Sequence, residues 1–312
     1  MSISNKLIVI LGPTASGKTS LSIKLAKKFN GEIVSADSRQ VYKGMDIGTG
    51  KVTKKEMSRL LGNRGSSTSS GQGIPHYLLD VVSPKTRFSV AQYQKLAKKA
   101  IKKIHKKGKL PFLVGGTGFY IQSVVDNISL PKVKPDWKLR KKLEKMPVEE
   151  LFKILKKLDP NRAKNIDKKN PRRLIRAIEI VKDSGRTVLP LSSNPEYDVL
   201  IIGVKRNPEE LKKLIEKRLL ARFKQGMIKE VEKLHRQGVS WKRLEEFGLE
   251  YRYIAFYLQN KISYDEMVQK LQKEIEHYAK RQMTWFKRDE RIKWVGNYEK
   301  ACYLLTRFMG ML

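Results

Sequence analysis

The stretch from Lys6 to Thr19 restricts the fold of this chain more than any other. Leu7, Ile8, Val9, Ile10 and Leu11 are consecutive apolar residues, the pattern of a strand buried on both faces. They run directly into Gly12, and four residues later come Gly17, Lys18 and Thr19. Leu21, Leu25, Ala26 and Phe29 then recur at helical spacing. Strand, glycine-bounded loop and helix in this order form a P-loop. Gly12 and Gly17 let the backbone curl so that its N–H groups face an anion, and the helix adds its positive N-terminal end. Lys18 supplies an ammonium for a terminal phosphate, and the Thr19 hydroxyl is a ligand for Mg²⁺. The residues Gly12, Pro13, Thr14, Ala15, Ser16, Gly17, Lys18 and Thr19 are therefore the expected binding site of a di- or triphosphate. The tail of ATP is one such group, and the loop alone does not say which is bound.

Further along, strands and helices alternate. Glu32 to Asp37 reads as a short strand ending in a carboxylate, followed by a polar loop, Ser38 to Tyr42. Tyr77 to Val82 reads as another strand, and Ser89 to Lys107 as a helix with Ala91, Leu96, Ala100, Ile101 and Ile104 on its apolar face. Leu110 to Val114 is a strand that ends in Gly115-Gly116-Thr117. Such alternation predicts an α/β fold: a P-loop NTPase-like parallel sheet flanked by helices. Gly62 to Gly73 is a Gly/Ser-rich surface segment.

From Pro131 the character changes. Between Lys132 and Lys182 there are 18 Lys/Arg against 7 Asp/Glu, a net +11, and strand signals vanish until Val199. This reads as a mostly helical basic insertion, residues 131–189, interrupting a catalytic core formed by 1–130 and 190–312. Two amphipathic helices are expected in it, one around Leu151 to Leu158 and one from Arg173 to Val181. Val199 to Val204 re-enters the sheet, and everything after Pro208 reads as helix: Leu211–Lys224, Met227–Arg236, a stretch around Tyr251–Leu258, and Tyr264–Phe286.

Composition narrows the partners. The net charge is +35 over 312 residues, a surface that repels itself unless it meets a polyanion, and nucleic acid is the natural one. The single cysteine, Cys302, excludes an intrachain disulfide framework and a cysteine-ligated zinc site. No stretch approaches the roughly 20 apolar residues of a membrane span, and Met1 to Lys6 lacks the apolar run of a secretory signal. A cytoplasmic protein without membrane contact is expected.

Seven ordered segments resemble one family over nearly the whole chain: Gly12–Thr19, Asp37–Tyr42, Met45–Thr49, Ile74–Tyr77, Gly115–Tyr120, Arg172–Ala177 and Ala279–Trp285. Together they resemble the tRNA dimethylallyltransferases, also called tRNA isopentenyltransferases. The resemblance implies a prenyl transfer. The dimethylallyl group of dimethylallyl diphosphate moves to N6 of adenosine 37, just 3′ of the anticodon, and diphosphate leaves. The P-loop would hold the leaving group, with Mg²⁺ as cofactor on Thr19. Lys18, Thr19, Asp37, Thr117 and Arg218 would form the catalytic set, with Asp37 as general base for the N6 proton. A carboxylate opposite a P-loop can instead hold the metal, and that alternative stays open. Asp37, Ser38, Arg39, Gln40, Thr117, Arg140, Arg172, Arg173, Arg176, Phe247, Tyr251 and Arg252 would contact the tRNA anticodon stem-loop. Among them Phe247 and Tyr251, together with Tyr253, are candidates for stacking on splayed bases, whereas Trp285 reads as core. A monomer is expected.

Three positions depart from the family pattern. Glu250 stands where many relatives have Gly, Arg222 where methionine is common, and Leu214 where many have an arginine, for which Lys212 or Lys213 would compensate. Three other readings compete. A small-molecule kinase would share the loop, with Tyr77–Asp80 as its Walker-B strand. An adenylate isopentenyltransferase would use the same diphosphate chemistry on a free nucleotide. A non-catalytic RNA-binding protein leaves the P-loop and Asp37 without a purpose.

Overall fold

In the first strand, β1 (Lys6–Leu11), successive side chains leave on opposite faces, and both faces are dry. Leu7, Val9 and Leu11 join one core; Ile8 and Ile10 join another on the far side. Full burial of such a side chain contributes ~1.5–3 kcal/mol, so a strand with five consecutive apolar residues after Lys6 is stable only inside a layered sandwich. The computed structural model, which describes residues 5–53 and 73–311, builds that sandwich. Six parallel strands, β1, β2 (Gly31–Ala36), β3 (His76–Tyr77), β4 (Leu110–Gly115), β5 (Asp198–Val204) and β6 (Lys293–Val295), lie in the order β3-β2-β4-β1-β5-β6. The helices Val90–Lys106 and Gly118–Val125 help to cover one face, and Lys18–Lys28 and Tyr298–Phe308 cover the other.

The register aligns three strand ends: Leu11 pairs with Gly115, and Gly115 with Ala36. Gly12, Asp37 and Gly116 therefore emerge side by side at the carboxyl edge, where open parallel sheets bind ligands. A third core joins Val41, Tyr42 and Met45 to the helices Pro208–Lys224, Met227–Arg236, Leu249–Leu258 and Tyr264–Phe286.

Several elements differ from the sequence reading. Tyr77–Val82 is not one strand. Pairing stops after Tyr77 because Leu78 and Asp80 have φ of 64° and 55°, which an extended strand does not accept, and Val82 makes one isolated bridge to Tyr42. The tail after Pro208 is not all helix, since β6 adds a parallel edge strand to β5. Three residues are too few to show a two-residue period. On Val90–Lys106 the inward face is Tyr93, Ala97, Ala100, Ile101 and Ile104, while Ala91 is exposed and Leu96 half-buried. The Gly/Ser-rich stretch 62–72 and Met1–Ser4 lie outside the described residues.

The chain divides into two compact units, one made of the residues up to Asp126 and from Pro195 onward, the other of Asn127–Asn194. The second has its own core around Leu143, Leu151, Leu155, Leu174 and Ile178. It contains four helices among the described residues rather than two: Trp137–Leu143, Val148–Leu158, Pro160–Lys164 and Pro171–Ser184. The two extra helices are two turns or less, too short to display periodicity. Asp136, Asp159 and Asn170 cap three of the four through their side chains.

Candidate active site

At the end of β1 the chain must turn sharply enough to face an anion. Gly12 does so at φ 155°, and a Cβ there would lie 2.9 Å from the Val204 carbonyl oxygen, so only glycine fits. Gly17, at φ 90°, opens the helix Lys18–Lys28. The Lys18 ammonium donates to the Pro13 carbonyl at 3.1 Å. Its pKa is lowered to about 8, first by burial, then by the Arg218 charge, with Asp37 opposing. Arg218 comes from the helix Pro208–Lys224 and donates to the Thr14 hydroxyl. Lys18, Arg218 and Thr14 thus line one end of an open cleft at the carboxyl edge of the sheet. Ser16 Oγ, buried in the loop, has no hydrogen-bond partner among the described residues.

Asp37 and Gln40 line the same cleft from the loop after β2. Asp37 Oδ1 accepts from the backbone N–H groups of Arg39 (2.8 Å) and Gln40 (3.3 Å). These bonds fix the carboxylate while leaving Oδ2 without a partner among the described residues. The Thr117 hydroxyl accepts from the Ser38 N–H at 3.0 Å and is 3.4 Å from Ser38 Oγ. Thr117 is the residue before the helix Gly118–Val125 but makes no side-chain cap to it. Thr19 also lines the cleft, and its hydroxyl makes no hydrogen bond to a described residue.

The two departures Glu250 and Arg222 are partners. Arg222, 7% exposed, donates to Glu250 Oε1 at 3.0 Å and to the Gly48 carbonyl at 3.1 Å. Arg39 donates to the other carboxylate oxygen at 2.6 Å. Glu250 is 2% exposed, and the charges of Arg39 and Arg222 hold its pKa below the ordinary carboxylate value against the opposing effect of burial. All three side chains line the cleft. Lys212 and Lys213, beside Leu214, are exposed and are not among the residues lining the cleft.

The remaining expected RNA contacts divide. Arg172 and Arg173 are exposed on the helix Pro171–Ser184. Arg140 and Arg176 both grip the buried Glu179, Arg140 with bonds of 2.8 and 2.6 Å, and Arg176 also donates to the Val133 carbonyl. The single Glu179 carboxylate thus orients two guanidiniums that stay partly exposed, 22% for Arg140 and 32% for Arg176, and the trio keeps a net positive charge. Tyr251 is 0% exposed and donates to Glu230 Oε1 at 2.9 Å, so it is a core residue and not a stacking platform. Phe247 is half-buried, edge-on to Tyr42 with ring centroids 4.9 Å apart and 4.3 Å from the Arg243 guanidinium. Tyr253 is half-buried, and Arg252 donates to the Glu245 carbonyl at 3.0 Å. Trp285 is half-buried, packed against the β1 core and over Gly118. Asp80, the acid of the Walker-B alternative, is exposed and pairs with Lys51.

Several lining residues had no role in the sequence reading, among them Thr49, Tyr278 and Gln282. The last two sit on the helix Tyr264–Phe286: Gln282 is 268 residues from the Thr14 N–H that it accepts, and the Tyr278 ring lies 6.0 Å from the Arg39 guanidinium, 239 residues away.

Comparison with known proteins places the chain in a family. The family model described as IPP transferase matches residues 40–289, and one described as isopentenyl transferase matches 5–64. The chain is 46% identical to tRNA dimethylallyltransferase 1 of Syntrophus aciditrophicus, covering 91% of this chain and 90% of that one. It resembles the crystal structure of the tRNA isopentenylpyrophosphate transferase of Bacillus halodurans with a TM-score of 0.71 at 36% identity, covering 98% and 96% of the two chains. A eukaryotic dimethylallyltransferase acting on tRNA aligns with a TM-score of 0.71 at 26% identity, over 90% of this chain and 69% of that one.

Proposed function

The chain belongs to the IPP transferase family and is a prenyltransferase that modifies tRNA, and from that premise we propose how its cleft divides the reaction. The phosphate loop, Lys18 and Arg218 hold the diphosphate of dimethylallyl diphosphate. Asp37 and Thr117 face N6 of adenosine 37 in the anticodon loop. The observation that carries this reading is that one cleft is lined by cations at the loop end and by a carboxylate with an unpaired oxygen next to Thr117.

As the C–O bond of the dimethylallyl group breaks, negative charge grows on the diphosphate. Lys18 and Arg218 are already in place to stabilise it, in a cleft where such charges act more strongly than in water. N6 of the adenine bonds to the freed carbon and loses a proton, which Asp37 Oδ2 accepts. Mg²⁺ fits the donors present. Among the described residues no cluster of three carboxylates, histidines or cysteines could cage a metal, but the Thr19 hydroxyl is unpaired beside the loop, and Mg²⁺ is commonly held by one or two protein oxygens plus substrate phosphates. Held by Thr19, it would add positive charge on the leaving group. Ser38, Arg39 and Gln40 beside Asp37, and the exposed Arg172 and Arg173 of the basic segment 131–189, are the tRNA contacts in this reading. A cytoplasmic monomer suffices, since one chain supplies every group named; no helix among the described residues is long and apolar enough to cross a membrane.

Mass spectrometry of nucleosides from tRNA incubated with dimethylallyl diphosphate tests the proposal. N6-dimethylallyladenosine at position 37 is expected, with AMP a far poorer acceptor and no phosphoryl transfer from ATP. Faster modification of AMP than of tRNA would instead identify an adenylate isopentenyltransferase.

The lowered Lys18 pKa gives a second test. The protonated lysine binds the diphosphate, and it loses its proton as pH rises through about 8 in the free enzyme. Because kcat/KM reports the free enzyme, its value for dimethylallyl diphosphate should fall roughly tenfold per pH unit above that point. Bound diphosphate raises the lysine pKa, so kcat should hold to higher pH. A flat kcat/KM from pH 7 to 9.5 would remove Lys18 from diphosphate binding.

A further inference from the structure

Beyond the strand ends, the two sides of the cleft are no longer joined by the sheet. The β1–β4 ladder stops at Leu11 and Gly115, and the loops that carry the chemistry continue past it. Among the described residues one side chain bridges the gap. Gln282, 6% exposed, accepts the Thr14 N–H on its Oε1 at 2.8 Å and donates from Nε2 to the Gly116 carbonyl at 2.8 Å. An amide suits this place, because one end must accept and the other donate.

Both anchor points lead directly to site residues. Thr14 also receives Arg218, and Gly116 precedes Thr117, whose hydroxyl holds the Ser38 N–H next to Asp37. A continuous run of bonds and peptide links thus connects Arg218, Thr14, Gln282, Gly116, Thr117 and Ser38. Gly116 is shaped for this contact: a Cβ there would lie 2.3 Å from Gln282 Nε2.

We infer that Gln282 is a positioning residue that sets the separation between the diphosphate cradle at Thr14 and the acceptor side of the cleft at Thr117. The inference rests on the division of the cleft proposed above. Bond formation between N6 and the dimethylallyl carbon requires both substrates at near-contact distance, and a misplacement of ~1 Å can cost ~10²-fold in rate. Holding each substrate does not need the bridge; aligning them does.

Two substitutions break the bridge from opposite ends. Gln282→Glu keeps the size and the acceptor for Thr14 but puts a carboxylate oxygen against the Gly116 carbonyl. Gly116→Ala pushes the amide away while leaving residue 282 intact. In both, the single-turnover rate of transfer should fall about 10²-fold. The Kd for inorganic diphosphate and the Kd for tRNA, each measured by calorimetry, should stay within about threefold of the parent, a split that general loosening of the fold would not produce. A variant rate within about threefold of the parent overturns the inference, as does an equal loss of diphosphate affinity. If the parent transfers nothing to tRNA, the proposed function falls and the inference falls with it. If the parent transfers and the variants match it, only the inference falls.

Discussion

Asp37→Asn is expected to bind both substrates and almost cease to transfer. Asparagine keeps an oxygen where Asp37 Oδ1 accepts the N–H groups of Arg39 and Gln40, so the loop after β2 should hold its shape. What changes is Oδ2, the oxygen without a partner, which becomes an NH₂ that cannot take a proton. Losing a general base costs about 10²–10⁴-fold, or roughly 3–5 kcal/mol of barrier. The loss should appear in single-turnover rate with the tRNA Kd unchanged. Partial rescue by added Mg²⁺, accompanied by weaker diphosphate binding, would reassign the carboxylate to the metal beside Thr19. A near-parental rate would point to solvent or the departing diphosphate as proton acceptor.

Glu250→Ala should carry the largest stability effect. It leaves Arg39 and Arg222 facing Lys18 and Arg218 with their shared carboxylate gone, although both arginines are largely buried. Removing one partner from a buried charge cluster costs about 3–5 kcal/mol, which for a chain of this size lowers Tm on the order of 10 °C. Arg222→Met should be much milder, because Glu250 keeps Arg39. Adding Arg222→Met to Glu250→Ala should recover part of the loss, since one of the stranded charges goes with it. A double-mutant cycle with no coupling would mean that the two sites are independent. A loss below about 1 kcal/mol for Glu250→Ala would mean that water reaches the arginines.

These two predictions also mark what could be read in the chain. Asp37 and the phosphate loop were legible because each motif is contiguous and follows a strand, and sheet registration then delivers it to the carboxyl edge. Glu250 and Arg222 were visible only as departures. Their pairing depends on how two helices, Pro208–Lys224 and Leu249–Leu258, come together, which no local pattern encodes. Gln282 lies inside the segment Ala279–Trp285, but its partners are 268 and 166 residues away. Tyr251 was ambiguous for a different reason. An aromatic at helical spacing looks the same whether it packs inside or waits for a base, and only the bond to Glu230 decides. The sharing of Glu179 by Arg140 and Arg176 was not legible either, because Arg140 reaches it from a different helix, 39 residues away.

The segment Asn127–Asn194 begins and ends in contact with itself. Ser129 donates its N–H to the Ser192 carbonyl at 3.0 Å, and the Asn127 side-chain amide donates to the Asn194 carbonyl at 2.8 Å. Its two ends therefore close like the base of a lollipop, and the strands on either side, β4 and β5, each pair with β1 without its help. Insertions are best tolerated where they enter and leave at one surface point. Descendants of this gene can lengthen, trim or recharge the lobe beyond that closure without shifting a single strand, so the trait that lobe confers and the bond-making chemistry are free to evolve at different speeds.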